Sequence, residues 1–255
     1  MITSPHNEKL KLIRRLQRRR ARERDGLFVG EGEDLLAAAR EAGAEPVELL
    51  TAAGEGLGGT EVEPALLDRF SALGSGTRAI GVWERRWAER PVPPCIYLHG
   101  VADPGNVGAV VRTALALVGG SVALGPGCAD PFGIRAVRAS MGAVFAEPLA
   151  QAALEATPGP RAALVAHGGE PLDAIEGSAT ICLGAEREGL PDDVLASCEV
   201  QVTIPVREGM ESLNVAAAAA IALQRICEGA PQAKPRSNPI NDEALNAKGE
   251  KDELR

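Results

Sequence analysis

The sequence lacks the clustered cysteines and histidines with which proteins usually bind a metal ion. Its five cysteines are widely spaced and form no C-x-x-C pair, lying at Cys95, Cys128, Cys182, Cys198 and Cys227. Its three histidines are equally scattered, with no HExxH motif, and lie at His6, His99 and His167. Zinc sites and redox dithiols need closer spacing. We therefore predict no metal site and expect the cysteines to be reduced core residues.

Long apolar segments are also absent. The longest apolar run is short and rich in alanine, whereas a transmembrane helix needs about 20 consecutive apolar residues. The N-terminal segment is charged and contains no apolar signal core. These features predict a cytoplasmic protein with no membrane partner.

Negative charge prevails overall, at −8, but it is unevenly distributed. Residues 1–24 contain nine lysines and arginines against two glutamates, a local charge of +7. Such polarity suits a protein that binds phosphates with one end, while the acidic remainder keeps it soluble. The alternative at this point is a basic helix face that is merely solvated.

The length of 255 residues allows two domains of ordinary size. A proline-rich segment at 84–94 is typical of a linker. We therefore predict an N-terminal α/β domain over 1–90 and a second domain over 91–229. Residues 230–255 are rich in polar residues and predict a disordered tail.

The first domain is predicted to begin with an amphipathic helix over 6–22, because Leu10, Ile13 and Leu16 recur at helical spacing. The elements expected after it alternate: a strand at 26–30, a helix at 31–43, a strand at 46–52, a helix from Pro64 and a strand at 78–83.

From Cys95 onward the alternation restarts, which predicts a parallel sheet covered by helices. The expected strands are 95–100, 121–125, 143–148, 161–166, 179–184 and 199–205. The expected helices are 105–118, 131–141, 191–197 and 211–228.

Three segments of this second domain combine glycines with polar side chains at the ends of predicted strands. They read DPGNVGAVVRTA at 103–114, LGAEREGL at 183–190 and IPVREGMESLNVAAAAAIAL at 204–223. In α/β enzymes, sites form at such strand ends. The first segment opens a helix whose N-terminus can bind an anion, but it is neither a P-loop nor a convincing GxGxxG turn.

Each segment also has an ordinary structural explanation. Arg112 can be incidental to a strand–turn–helix junction, and Glu186 can simply begin a helix after a βα loop. Ser212 can be a helix N-cap, with Asn214 solvated in the first turn. The segments taken singly do not decide between these interpretations and a functional site.

Taken together, in this order and spacing, the three segments resemble the motifs of the SpoU (TrmH) family of RNA 2′-O-ribose methyltransferases, in the SPOUT superfamily. Residues 6–36 resemble the substrate-binding domain that precedes the catalytic domain in ribosomal-RNA members, and 135–145 also match. The resemblance implies a SPOUT-type α/β-knot fold, with a deep trefoil knot and a mostly parallel sheet, behind a smaller N-terminal α/β domain.

The resemblance also implies a homodimer that binds S-adenosyl-L-methionine near the subunit interface and acts on RNA, not DNA. The implied cofactor-binding residues are Leu183, Gly184, Glu186, Gly189, Ile204, Gly209 and Leu213. The implied catalytic residues are Arg112, Asn106, Ser212 and Asn214. The arginines expected to contact RNA phosphates are Arg14, Arg15, Arg18, Arg19 and Arg20.

The implied reaction is S-adenosylmethionine-dependent methylation of a ribose 2′-hydroxyl in structured RNA, with 23S-type ribosomal RNA favoured. Alternatives are a tRNA 2′-O-methyltransferase and a non-catalytic RNA-binding protein on the same fold; the basic N-terminal helix disfavours a small-molecule methyltransferase. Arg112 would act either as a base or through the substrate phosphate. One departure is Ala216, where many relatives have a second serine.

Overall fold

The structure is a computed structural model that describes residues 1–229 except 73, 75, 148, 176, 208, 210 and 211. The predicted disordered tail, 230–255, lies outside the described residues. Within the described part of the chain, no helix is long and apolar enough to cross a membrane.

The described residues of the N-terminal unit form four helices and a four-stranded sheet. In chain order its elements are α1 (Glu8–Leu16), α2 (Arg19–Asp25), β1 (Leu27–Glu31), α3 (Glu33–Glu41), β2 (Glu48–Ala52), β3 (Thr60–Val62), α4 (Pro64–Asp68) and β4 (Ala79–Glu84). The strand order is β1-β4-β2-β3, with β4 antiparallel to both neighbours and β3 parallel to β2. Strand β3 was not predicted from the sequence.

The single helix predicted over 6–22 is wrong, because the chain breaks after Leu16 and resumes as α2. Arg18 is extended, with φ −93° and ψ 130°. The break allows the side chain of Arg22 to turn back, and its Nη1 donates to the carbonyls of Leu16 and Gln17, each at 2.9 Å. Those carbonyls would otherwise be left unsatisfied at the end of α1.

The C-terminal unit alternates strands and helices. Its elements are β5 (Cys95–Leu98), α5 (Pro104–Leu117), β6 (Ser121–Leu124), α6 (Ile134–Ala139), α7 (Ala143–Ala146), β7 (Leu149–Gln151), β8 (Arg161–Leu164), β9 (Thr180–Leu183), α8 (Asp192–Ala196), β10 (Val200–Val202) and α9 (Val215–Gly229). Its six strands are ordered β10-β8-β9-β5-β6-β7, and every adjacent pair is parallel. The α/β class and the parallel sheet are confirmed, and all carboxyl ends of the strands meet at one edge.

The strand predicted over 143–148 is wrong in position. Residues Ala143–Ala146 form the short helix α7, and the strand β7 begins only at Leu149. Gly142, at φ +90°, turns the chain into this helix. The helical turn directs the ring of Phe145 toward Trp83, with centroids 5.0 Å apart. Residues 143–146 of the predicted strand are therefore helical, and the strand follows this segment.

The two units share a core at their junction. Five of the chain's seven aromatic residues form one cluster there: Phe28, Trp83, Trp87, Phe132 and Phe145. The rings of Phe28 and Phe132, which come from different units, lie 5.1 Å apart. A buried ion pair joins the units beside this cluster, because Arg22 contacts Asp130 at 2.8 Å.

Candidate functional site

A cavity of about 680 Å³ opens at the carboxyl ends of β8 and β9. Three segments form its walls: the loop after β8, the loop after β9 and the chain that leads into α9. Ligands of open α/β sheets bind at this edge, where the loops of adjacent strands diverge. Six of the seven predicted cofactor-binding residues line it: Leu183, Gly184, Glu186, Gly189, Ile204 and Leu213.

The loop after β9 is held tightly against itself. Ala185 and Gly189 exchange two backbone hydrogen bonds, at 3.0 and 3.1 Å. A Cβ atom on Gly184 would lie 2.1 Å from the carbonyl carbon of Gly189, which no side chain can tolerate. Gly189 has φ +70°, a conformation that favours glycine. Both glycines are thus required by the loop that forms one wall of the cavity.

The three sequence motifs meet in one hydrogen-bond network at this cavity. The Nδ2 atom of Asn106 donates to Oε1 of Glu186 at 2.6 Å. The Nδ2 atom of Asn214 donates to Oδ1 of Asn106 at 3.0 Å. Asn106 is itself positioned by Asp103, the N-cap of α5, whose Oδ1 accepts from the Asn106 backbone N–H at 3.0 Å. Through Glu186, which lines the cavity, the network connects both asparagine amides to the cavity wall.

Asn214, rather than Ser212, caps α9. Its Oδ1 accepts from the backbone N–H of Ala216 at 2.9 Å, one position inside the helix start. Ser212 is exposed and lines the cavity instead. The alternative in which Ser212 is only a cap is therefore wrong, because Asn214 provides the cap.

Four predicted site residues of the C-terminal unit do not line the cavity. Asn106 and Asn214 are linked to it through Glu186, and the other two are Gly209 and Arg112. Gly209, at φ +89°, belongs to the loop between Ile204 and Ser212 but does not line it. Arg112 is exposed on α5 and, within the described part of the chain, makes no side-chain hydrogen bond or ion pair. Six helical positions are about 1.7 turns, so Arg112 and Asn106 face different sides of α5. One chain alone does not bring Arg112 to the cavity.

The five N-terminal arginines differ in their surroundings. Arg15 pairs with Asp25 at 3.0 Å, and Arg19 pairs with Glu23 at 2.8 Å. The guanidinium of Arg14 lies 4.5 Å from the centroid of the Phe70 ring. The remaining two, Arg18 and Arg20, are exposed, and no side-chain partner is seen for them among the described residues.

Sequence reasoning missed part of the cavity wall. The loop after β8 contributes Val165, Ala166 and His167, and the neighbouring loops add Arg187 and Val206. The signal that could have found the β8 loop is its position after a strand of a parallel sheet, because loops at one edge converge on one site.

The cysteines are free thiols in the structure. Burial raises the pKa of the Cys95 thiol to about 11. A hydrogen bond with Cys198, with burial second, raises the pKa of Cys182. Both thiols are therefore protonated near neutral pH, which makes them poor nucleophiles. The part of the chain that the structure describes contains no group of three His, Cys, Asp or Glu side chains able to hold a metal ion.

Two family models match this chain. The SpoU rRNA methylase family matches residues 93–224, and the MRM3-like substrate binding domain matches residues 7–82. An uncharacterized tRNA/rRNA methyltransferase of Mycobacterium tuberculosis is 38% identical over 139 residues, which are 49% of this chain and 48% of the relative. The 23S rRNA (adenosine(1067)-2′-O)-methyltransferase of Streptomyces laurentii is 33% identical over 141 residues, 51% of this chain and 52% of the relative.

Among solved structures, the AdoMet-bound rRNA methyltransferase from Sinorhizobium meliloti has a TM-score of 0.79 and 27% identity, and the match covers 91% of this chain and 98% of that one. The sequence match to the relatives named above, in contrast, spans about half of their length.

Proposed function

The chain belongs to the SpoU rRNA methylase family, and we propose that it transfers a methyl group from S-adenosylmethionine to a ribose 2′-hydroxyl of structured RNA. The observation that carries the proposal is the network of Asn106, Glu186 and Asn214 at the edge of the 680 Å³ cavity. Ribosomal RNA is the favoured substrate, because the Streptomyces laurentii relative is named for 23S rRNA.

The cavity suits S-adenosylmethionine in size and chemistry. Its volume lies within the range of roughly 300–1,000 Å³ that small-molecule sites occupy. Leu183, Ile204 and Leu213 offer apolar surface for the adenine, while the carboxylate of Glu186 can accept hydrogen bonds from a cationic amine. The similar Sinorhizobium meliloti structure is named as AdoMet-bound, which supports this assignment.

The residues of this chain would then orient the nucleophile. When bound, the cofactor supplies a methyl group on a positively charged sulfur. Asn106 and Asn214 hold their amides in fixed positions, and the exposed hydroxyl of Ser212 lies in the same cavity. Holding the ribose hydroxyl in line with the methyl group accounts for much of the rate enhancement, because orientation lowers the entropic barrier.

Arg112 is assigned to the proton of the 2′-hydroxyl, which must leave as the new O–C bond forms. A guanidinium normally stays protonated. Arg112 therefore has two possible roles. It acts as a base, which requires its unusual neutral form, or it holds the adjacent phosphate and polarises the hydroxyl. The first role requires a neutral guanidine before the proton moves, whereas the second requires the charged, planar guanidinium; both place Arg112 close to the ribose.

We further propose a homodimer whose sites lie at the subunit interface. Arg112 is exposed and does not line the cavity of its own chain, which supports a site completed by the partner subunit's Arg112. The family resemblance also supports a trefoil knot in the chain around the cofactor. A cytoplasmic location remains a prediction from the sequence.

The N-terminal domain, 1–90, is proposed to bind the RNA, and residues 91–229 to carry the catalysis. The match of residues 7–82 to the MRM3-like substrate binding domain supports this division. Arg18 and Arg20 are the strongest candidates for phosphate contacts, because their guanidinium groups are exposed and unpaired among the described residues.

Three measurements test the proposal. Titration calorimetry on chelator-treated protein should show saturable S-adenosylmethionine binding, since no metal takes part. Radiolabelled methyl transfer should occur to ribosomal RNA stripped of proteins. Mapping of 2′-O-methyl sites in total RNA should reveal a site that is methylated in cells with the gene and unmethylated in cells without it. If that site lies in tRNA, tRNA replaces ribosomal RNA as the substrate.

Failure of cofactor binding by the folded protein, with and without RNA, would overturn the enzyme function.

A further inference from the structure

A second cavity, of about 400 Å³, lies where the N-terminal unit meets the carboxyl ends of β6 and β7. We call it the junction groove. Residues of both units line it, including Arg19, Arg85, Trp87, Gly125, Asp130 and Gln151. It is separate from the cavity assigned to the cofactor, with which it shares no lining residue.

The junction groove contains an arginine that is nearly buried but weakly neutralised. The side chain of Arg85 is 10% exposed, and its Nη2 lies 3.8 Å from Oδ1 of Asp130. Its Nε is buried and finds no hydrogen-bond partner among the described residues. The other carboxylate oxygen of Asp130 already accepts two hydrogen-bond contacts from Arg22, each at 2.8 Å. Arg85 thus retains donor capacity and positive charge inside the groove.

The surrounding charges favour an anion. Arg19, Arg22 and Arg85 supply three positive charges against the carboxylates of Glu23 and Asp130. A hydrogen bond from Arg19 holds the pKa of Glu23 below its usual value, so this carboxylate is ionised at neutral pH. The local balance is therefore positive although the whole chain carries −8.

An aromatic ring borders the same groove. Trp87 is half-buried and packs edge-on against Phe132, with centroids 5.0 Å apart. The guanidinium of Arg85 lies 5.5 Å from the centroid of the Trp87 ring. Proteins that bind single-stranded nucleic acids combine cationic and aromatic side chains in this way. Arginines pair with the phosphates, and aromatic rings stack against the bases.

Backbone hydrogen bonds connect one wall of the junction groove to the chain segment that leads into the candidate active site. The chain segment at 125–129, which forms one wall, is hydrogen-bonded to the segment at 98–101: Gly125 N–H donates to the Leu98 carbonyl at 2.8 Å, and Ala129 N–H donates to the Val101 carbonyl at 2.9 Å. That second segment leads directly into α5 and Asn106. The strands β5 and β6 are adjacent, and neighbouring strands lie about 4.8 Å apart. The junction groove and the candidate active site thus lie on the same carboxyl edge of the sheet, at the ends of different strands.

We propose that the junction groove is a second contact site for the substrate RNA, in which Arg85 and Arg19 bind a backbone phosphate and Trp87 stacks against a neighbouring base. This inference rests on the proposed function, because it names where the substrate lies beyond the methylated ribose. The proposal also assigns a role in RNA binding to the junction of the two units, because residues of both units form the groove.

The test uses Gln151, an exposed residue at the end of β7 that lines the groove without contributing to the core. Gln151→Glu adds a negative charge to the groove, and Gln151→Lys adds a positive one. The matched controls are Gln201→Glu and Gln201→Lys, because Gln201 is an exposed glutamine of β10 at the opposite edge of the same sheet.

The probe is large-subunit ribosomal RNA stripped of proteins and cut into fragments, with affinity measured by filter binding over a range of salt concentrations. We expect Gln151→Glu to weaken binding several-fold and Gln151→Lys to tighten it by a similar factor, while both Gln201 variants leave the affinity unchanged. Trp87→Leu should weaken binding at least about fivefold because a stacked base loses its partner, and Trp87→Phe should retain most of the affinity.

Opposite effects of the two charges would not arise from a loss of folding. Equal effects in the same direction, or no effect of either variant, would overturn the groove assignment. If the wild-type protein methylates no RNA but the Gln151 pair acts in opposite directions, the proposed enzyme function fails and the groove stands. If methylation occurs normally and the pair is silent, the groove alone fails. A wild-type protein that binds no RNA overturns both.

Discussion

The side chains of Asn106 and Asn214 are joined by a hydrogen bond of 3.0 Å, although 108 positions separate them in the chain. The bond ties the first turn of α5 to the residue that caps α9. Since Asn106 also donates to Glu186 at 2.6 Å, the three polar segments of the sequence form one connected unit in the structure. A substitution of any one of these three residues should therefore alter the positions of the other two side chains.

Substitution of Asn214 can separate its capping role from its role in the network. Asn214→Asp keeps the oxygen that accepts from Ala216 N–H but removes the donor to Asn106. We expect it to unfold at nearly the wild-type temperature yet to lose most methyl transfer. Asn214→Ala should lose activity and also about 1 kcal/mol of unfolding free energy, because the cap is gone. Thermal melts with single-turnover assays check both; near-normal turnover by Asn214→Asp would contradict the role of the network.

Arg112→Ala should abolish methyl transfer while changing stability by less than about 0.5 kcal/mol, because the exposed side chain makes no side-chain hydrogen bond or ion pair in the described part of the chain. Arg112→Lys should also be poor, since a compact ammonium does not reproduce the planar fork of donors. S-adenosylmethionine affinity by calorimetry should stay near wild type. Arg90→Ala, at another exposed arginine, controls for the loss of one charge. Normal single-turnover rates for Arg112→Ala would remove this residue from the mechanism.

Gly184→Ala should damage the cofactor cavity directly. The added Cβ would meet the Gly189 carbonyl carbon at 2.1 Å, so the loop after β9 must move. We expect a loss of about 1–3 kcal/mol in stability from overpacking and at least about tenfold weaker S-adenosylmethionine binding, equivalent to about 1.4 kcal/mol. The comparison is Gly177→Ala, where φ is +77° but nothing lies within 4 Å, so backbone strain occurs without a clash and away from the cavity. Equal cofactor affinity in the two variants would show that the loop is not part of the cofactor site.

Replacement of Arg14, Arg15, Arg18, Arg19 and Arg20 by glutamine should weaken RNA binding and flatten its dependence on salt. Each lost phosphate contact removes a released counterion and lowers the slope of log affinity against log salt by roughly 0.7–0.9. The double variant Arg18→Gln/Arg20→Gln should show this effect without a change in stability, because neither side chain has a partner among the described residues. Cofactor binding provides the folding control. An unchanged slope would indicate that the basic face is only solvated.

Arg22→Ala should behave differently from its exposed neighbours. Its guanidinium is buried, pairs with Asp130 at 2.8 Å and donates to two carbonyls at the end of α1. Removal leaves a buried carboxylate without its main partner, which typically costs about 3–5 kcal/mol. Denaturant titration should reveal this loss, and Arg20→Ala serves as the matched control on the same helix. A loss no greater than that of Arg20→Ala would show that the buried ion pair does not stabilise the fold.

The sequence was most informative where a periodic pattern coincided with burial. Leu10, Ile13 and Leu16 predicted α1 because one face of that helix packs against the core. The pattern could not show that the helix stops at Leu16, since the next residues are all helix formers. Arg22, which satisfies the carbonyls at the break, also pairs with Asp130, a residue distant in the sequence. Likewise, the apolar run at 143–148 carries no sign that Phe145 must turn toward Trp83.

The candidate site was predictable to the extent that its residues belong to short motifs. Gly184, Glu186 and Leu213 line the cavity as expected. His167 and its neighbours were missed, because a loop recruited only by sheet order has no motif of its own. The position of Arg112 shows the converse limit: helical spacing gives the face of a helix, but that face does not line the cavity.

The clustering of aromatic rings at the junction has a practical consequence for spectroscopy. Both tryptophans of the chain, Trp83 and Trp87, lie there, and none lies at the cofactor cavity. The intrinsic tryptophan fluorescence of the unmodified protein therefore reports on the contact between the N-terminal and C-terminal units. A shift of the emission maximum on addition of RNA, but not of cofactor, would indicate that one unit moves relative to the other. This measurement requires no attached dye.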